Sequence, residues 1–229
     1  MATFVLVHGA YQGGWVWKPV ATRLRAAGHL VFAPTLEGCA ERAHAIRPGI
    51  TVGAHAREVA QLLFYEDLSD VVLAGTSAGG MVIQKAAETA RERIARLVFV
   101  DALALMPGEA VGEIVKRSAP NEVTAVSTGP TKADAESRLF RDLDPALRAW
   151  ALARITPHPI DALEAPMEPT RFWEQPWSAT VIRCRRAANP PEHHQRRTAE
   201  RLNAAWHELD TGHYPMLSEP DALTRLLEA

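Results

Sequence analysis

The stretch VVLAGTSAGGMVIQ, from Val71 to Gln84, constrains the fold more than any other part of the chain. An apolar, β-branched run ends in Gly75-Thr76-Ser77-Ala78-Gly79, and a helix-like run follows without a break. A strand that feeds directly into a helix must turn sharply, and small residues on either side of Ser77 let the turn close. Such a turn presents Ser77 Oγ at the edge of a sheet. It also aims the first amides of the helix at the same point, where a negatively charged oxygen would be stabilised. Small residues can serve a tight turn and nothing more, but the strand-to-helix setting favours a nucleophile.

The rest of the chain repeats this alternation of apolar runs and helical patterns. Candidate strands are TFVLVHG from Thr3, LVFAPTL from Leu30, VVLAGTS from Val71, LVFVDAL from Leu97, TVIRC from Thr180 and WHELDTG from Trp206. The four that read most clearly as buried are near-continuous apolar runs, as expected of strands covered on both faces, so the expected architecture is α/β, a mostly parallel six-stranded sheet with helices on both sides. Crossover helices are expected in VWKPVATRLRAAG, VGAHAREVAQLLFYED and GGMVIQKAAETARERIA. One segment breaks the pattern: residues 106–177 are mixed, charged and interrupted by Pro120, Pro130, Pro145, Pro157 and Pro159. They read as a helical cap over the carboxyl edge of the sheet, where open α/β folds bind ligands. The chain then divides into a first core part (1–105), the cap and a second core part (178–229), forming one structural domain with a cap.

Composition excludes several functions. With 229 residues, a net charge of −2 and acids and bases interspersed, the chain has no electrostatic footprint for nucleic acid or an anionic membrane. No apolar run approaches the length of a spanning helix. Cys39 and Cys184 cannot make a disulfide framework and read as packed thiols, and the first residues lack the pattern of a signal peptide. A cytoplasmic location is expected, with a homodimer left open.

Two further segments carry chemistry. VLVHGAYQGGW is a glycine-rich loop leaving the first strand; the backbone amide of Ala10, with that of Ala78, would form a two-donor oxyanion hole. His8 in this loop reads as a buried scaffold histidine. HELDTGHYPML places His213 after the last strand, where neutral imidazole can accept the serine proton and return it to a leaving group. Tyr11 and Tyr214 are expected to flank the pocket mouth. Trp150, Phe172, Trp173 and Trp177 are expected chiefly in the packing of the cap, with Trp173 also offered to the substrate.

Together these segments resemble an α/β-hydrolase, in the small-cap branch that includes plant methyl-ester hydrolases, hydroxynitrile lyases and bacterial esterase-like proteins. VLVHGAYQGGWVW, PTLEGCAERAH, YEDLSDVVLAGTSAGGMVI, ERIARLVFVDAL, FWEQP and ELDTGHYPMLSEP occur in that family's order. The resemblance implies no cofactor and no metal. Three departures matter. Thr76 and Ala78 stand where relatives commonly carry His and a bulky residue, which implies a roomier floor beside Ser77. The lyases use a Thr in the first loop and a Lys after the histidine, where this chain has Gly9 or Ala10 and Tyr214; cyanohydrin cleavage is therefore disfavoured. Finally, in VIRCRRAANPPE, Ala187 occupies the position of the Asp that orients the histidine. Asp101, at the end of LVFVDAL, is the candidate replacement because it keeps the order Ser, acid, His and because some lipases of this fold place their acid on that strand. Glu192 and Asp210 remain alternatives. Arg183, Arg185 and Arg186 read as a solvated strand end.

The expected function is a serine hydrolase that cleaves a carboxylic ester or thioester of a small to medium apolar acid through an acyl-enzyme, with Ser77, His213 and Asp101 as its catalytic residues. Two other readings accompany it. One is a non-hydrolytic cyclase or lyase that uses His213 for proton transfer, and the other is a ligand-binding protein with a degenerate site.

Overall fold

The computed structural model describes residues 1–117 and 119–229. The apolar runs form β1 (Thr3–Val7), β2 (Leu30–Phe32), β3 (Val71–Ser77) and β4 (Ile94–Ala102), separated by α1 (Lys18–Ala26), α2 (Val52–Tyr65) and α3 (Gly79–Thr89). After β4 comes an insert with α4 (Val111–Ile114), β5 (Glu122–Val123), β6 (Ser127–Gly129), α5 (Lys132–Arg138), α6 (Pro145–Leu152), β7 (His158–Pro159) and α7 (Ile160–Leu163). The chain then returns through β8 (Ala179–Cys184), α8 (Glu192–Leu202), β9 (Ala205–Leu209), α9 (Pro215–Ser218) and α10 (Pro220–Glu228).

The main sheet has six strands in the order β2-β1-β3-β4-β8-β9, and every pairing is parallel. Parallel neighbours need crossovers, and the helices that make them cover both faces. On one face Val5, Leu73, Phe99 and Val181 pack against residues such as Val59 and Leu63 of α2 and Ile83 of α3. On the other, Leu6, Val98 and Ile182 meet Val20 and Leu24 of α1 with Leu223 and Leu227 of α10. Each such fully buried side chain contributes about 1.5–3 kcal/mol over leaving it in water.

Helix α3 lies unusually close to the sheet. A Cβ at Gly79 would sit 2.5 Å from the His8 carbonyl oxygen, and one at Gly80 would sit 2.2 Å from that of Leu103. These glycines therefore set how near the helix N-terminus comes to β1 and β4. The pattern that suggested a helix through Ala95 ends sooner, at Thr89. A short 3₁₀ turn at Arg91–Arg93 intervenes, and Ile94 already pairs with Val71 in the sheet.

The insert is not purely helical. It carries a three-stranded antiparallel sheet, β5-β6-β7, whose strands are two or three residues long. It docks on the core through Val111, Leu163 and Met167, which pack with Ala78, Met81 and Leu103. Hydrogen bonds add register: the Thr156 N–H donates to the Tyr11 carbonyl (3.1 Å) and the Ala40 N–H to Thr156 Oγ1 (2.9 Å).

Candidate active site

Ser77 closes β3 with φ +52°, in the left-handed region that a residue with a Cβ rarely adopts. The chain around it explains how this conformation is held. A Cβ on Gly75 would lie 2.6 Å from the Gly79 carbonyl oxygen, so the turn closes only on glycine. Gly9 approaches from β1, and a Cβ there would come within 2.7 Å of Ser77 Cβ.

Next to Ser77 the sheet register slips. Thr76 pairs with Val100 and Ser77 with Ala102, so Asp101 is the extra residue of a bulge in β4, with φ +44°. A bulge re-aims a side chain. Asp101 is fully buried, and its Oδ2 lies 2.6 Å from His213 Nδ1. Its Oδ1 accepts the Cys184 N–H (3.0 Å) and the Gln195 Nε2–H (2.8 Å). An ionised carboxylate only accepts, so in the pairing with Asp101 a neutral His213 would carry its hydrogen on Nδ1 and leave the Nε2 lone pair free. His213 and Ser77 both line one cavity of about 480 Å³.

Ala10 and Ala78 line the same cavity, and neither backbone N–H has an intramolecular acceptor among the described residues. For Ala78, the N-cap of α3, this follows from helix geometry, and the helix dipole adds partial positive charge there. Gln12 is buried in the first loop and its Oε1 accepts the Gly9 N–H at 3.4 Å. His8 is locked into the scaffold: Nδ1 bonds the Gly9 carbonyl (2.8 Å) and Nε2 accepts the Leu36 N–H (3.1 Å). Burial lowers its pKa to about 4, so it stays neutral.

Several expectations are sorted by this geometry. Glu192 does not reach His213; it is ion-paired with Arg196 (2.8 Å) and Arg183 (3.0 Å). Asp210 is likewise engaged at the surface with Arg186 (2.8 Å) and Arg185 (3.4 Å). Tyr11 and Tyr214 do line the cavity. The Tyr11 hydroxyl accepts from Asn121 Nδ2 at 2.9 Å, while Tyr214 is nearly buried with its ring 4.1 Å from that of Phe140. Trp173 is a correction. It lies outside the cavity lining, donates its indole N–H to the Leu105 carbonyl (3.0 Å) and packs edge-on against Phe172. Its indole N–H is satisfied by a core carbonyl.

Asp142 and Gln195 carried no sequence signal. Asp142 Oδ2 accepts the Gly212 N–H (3.1 Å) and the Thr211 hydroxyl (3.4 Å), bracing the loop that bears His213. It sits in a charged stretch, and Gln195 sits in the polar run EHHQRRTAERL; nothing in either pattern separates them from surface residues.

A parallel sheet with a strained serine between strand and helix, and a histidine beyond the last strand paired to a buried acid, defines a hydrolase of the α/β type. Comparison with known proteins places it further. Residues 4–226 match the alpha/beta hydrolase family, and the chain belongs to that family. It is 36% identical over 177 residues to a carbendazim hydrolyzing esterase of Nocardioides sp. (strain SG-4G), covering 73% of each chain. It is 37% identical over 102 residues to salicylic acid-binding protein 2 of Nicotiana tabacum, covering 43% of this chain and 38% of that one. In fold it is similar to an extracellular alpha/beta-hydrolase from a Paenibacillus species, with a TM-score of 0.79, 22% identity and coverage of 99% and 98%. Membership and this kinship make the chain a carboxylesterase-type hydrolase. No helix among the described residues is long and apolar enough to cross a membrane.

Proposed function

We propose that the chain cleaves a carboxylic ester or thioester of a small to medium apolar acid through an acyl-enzyme on Ser77. The observation that carries this reading is the 2.6 Å pairing of His213 Nδ1 with buried Asp101, on the wall of the cavity that Ser77 also lines. His213 Nε2 takes the proton as Ser77 Oγ attacks the carbonyl carbon, and Asp101 stays ionised to stabilise the imidazolium. The N–H groups of Ala10 and Ala78 hold the tetrahedral oxyanion. Collapse breaks the bond to the alcohol or thiol, which leaves with the proton from His213. Water, activated by the same histidine, then releases the acid and restores Ser77.

The cavity supports the substrate class. Leu103, Val111, Leu139, Phe140 and Leu163 give it apolar walls, and its size suits a small to medium molecule. The insert supplies four of those five residues, which favours its role as a cap. The kinship with proteins named as esterases points the same way. The Asp101 pairing also favours hydrolysis over a cyclase or lyase, a reading that rested on the missing acid at position 187.

Labelling with a fluorophosphonate tests the proposal. Intact mass should rise by one phosphonyl group per chain, and Ser77→Ala should abolish the adduct. An unlabelled wild type, or an adduct that persists in Ser77→Ala, would sink it.

A further inference from the structure

The stretch that lacks the usual acid, Cys184 to Gln195, supplies both donors that hold the relocated one. The Cys184 N–H comes from the end of β8, and the Gln195 amide comes from the second turn of α8. Gln195 is 1% exposed, lies outside the cavity lining and spends Nε2 on Asp101 Oδ1 (2.8 Å) and the Pro190 carbonyl (3.0 Å). Its Oε1 has no hydrogen-bond partner among the described residues. The opposite amide orientation would set Oε1 against a carboxylate and a carbonyl, two acceptors, so the chemistry fixes Nε2 toward Asp101.

A buried amide that leaves its own acceptor unpaired while aiming both hydrogens at an acid and its neighbouring loop is costly as packing alone. We propose that Gln195 is a positioning residue. With the Cys184 amide it fixes Asp101 Oδ1, so that Oδ2 alone faces His213 Nδ1–H and the imidazole is held in the tautomer that serves Ser77. Placing the acid on β4 removes it from the loop at Ala187, and it also buries the carboxylate, so that its second oxygen takes its donors from the protein itself. Gln195 takes that place. This inference rests on the triad reading above.

The test compares Gln195→Leu, Gln195→Glu and Asp101→Asn on a chromogenic short-chain ester across pH. Gln195→Leu should lower kcat ~10- to 100-fold, the worth of a hydrogen bond to a charged group, with KM within about threefold. Its kcat/KM profile should also shift on the acid side, which loss of packing alone would not cause. Gln195→Glu should recover part of kcat at low pH, where a protonated carboxyl still donates, and lose it as the pH rises and two carboxylates face each other. Combining Gln195→Leu with Asp101→Asn should cost no more than Asp101→Asn alone. Wild-type kcat and an unmoved profile in Gln195→Leu, or in Gln195→Glu should the Leu variant not fold, overturn the proposal while a slow Asp101→Asn leaves the triad standing. A fast Asp101→Asn would instead remove the triad reading itself.

Discussion

At Asp101 a left-handed backbone, a bulge and three accepted hydrogen bonds meet in one fully buried residue. Strain of that kind persists only where the surroundings over-determine it. Asp101→Asn keeps the shape but lets the amide offer its NH₂ to His213, favouring the wrong tautomer. We expect kcat to fall on the order of ten-thousandfold with an unchanged urea midpoint; turnover near wild type would exclude Asp101 as the orienting acid. Gly9 is the second sensitive point. In Gly9→Ala the new Cβ would meet Ser77 Cβ at 2.7 Å, and displacing Ser77 by a fraction of an ångström should, on the proposed mechanism, lower kcat/KM about a hundredfold. Steady-state kinetics beside the melting curve distinguishes this from unfolding. The residues of the site differed in how openly the sequence declared them. Ser77 and His213 stand in glycine-marked turns at strand ends, where local pattern and chemistry agree. Asp101 emerged only because Ala187 left a role unfilled, and its bulge has no local signature. Gln195 and Asp142 act through contacts 94 and 70 residues away in sequence, which no local pattern encodes.

Among the elements, α3 comes very close to β4. Gly80 permits it, since a Cβ there would lie 2.2 Å from the Leu103 carbonyl oxygen and 2.8 Å from Ala102 Cβ. Neither neighbour can swing aside: one is backbone at the end of β4, the other a fully buried methyl. Gly80→Ala should therefore destabilise the fold by about 2–3 kcal/mol, the upper range for overpacking, read as a lower urea midpoint at constant m. An unchanged midpoint would mean that α3 can retreat freely, and the account of its docking would be wrong. Strands β1, β3, β4 and β8 of the main sheet were legible because burial on both faces demands apolar runs, while the edge strands β2 and β9 are only partly buried. The insert was not legible in the same way. Strands β5, β6 and β7 are only two or three residues long, too short to show a repeating alternation, and β7 contains Pro159, which sits at the edge of its small sheet. They exist because the insert folds on itself and on the core, a tertiary cause that overrides local preference.

For the molecule as a whole, buried histidines set the response to acid. Burial lowers the pKa of His8 and of His194 to about 4, and lowers those of His55 and His158 as well. His8, His55 and His158 lie close together where the insert meets the core: the His55 and His158 rings are 5.8 Å apart, His158 Nδ1 is 3.5 Å from Cys39 Sγ, and each proton added would repel the next. Burial pushes the Cys39 thiol up to about 12, so no thiolate compensates them. His194 is separate, accepting the Ala104 N–H at 3.1 Å beside Arg197, whose charge disfavours a second cation. In the unfolded chain a histidine binds its proton near pH 6.5, whereas the folded His8 and His194 bind theirs near 4. Between those values the unfolded state holds more protons, so the stability these residues confer is present above about pH 6.5 and is lost as the pH falls toward 4. At pH 5 the loss is about 2 kcal/mol for each of the two, with further loss from His55 and His158. Urea unfolding at pH 7.5 and pH 5.0 should therefore give unfolding free energies that differ by about 4 kcal/mol or more. Equal stability at the two pH values would show that these imidazoles are not held neutral, and that the insert docks on the core by means other than a dry, uncharged histidine cluster.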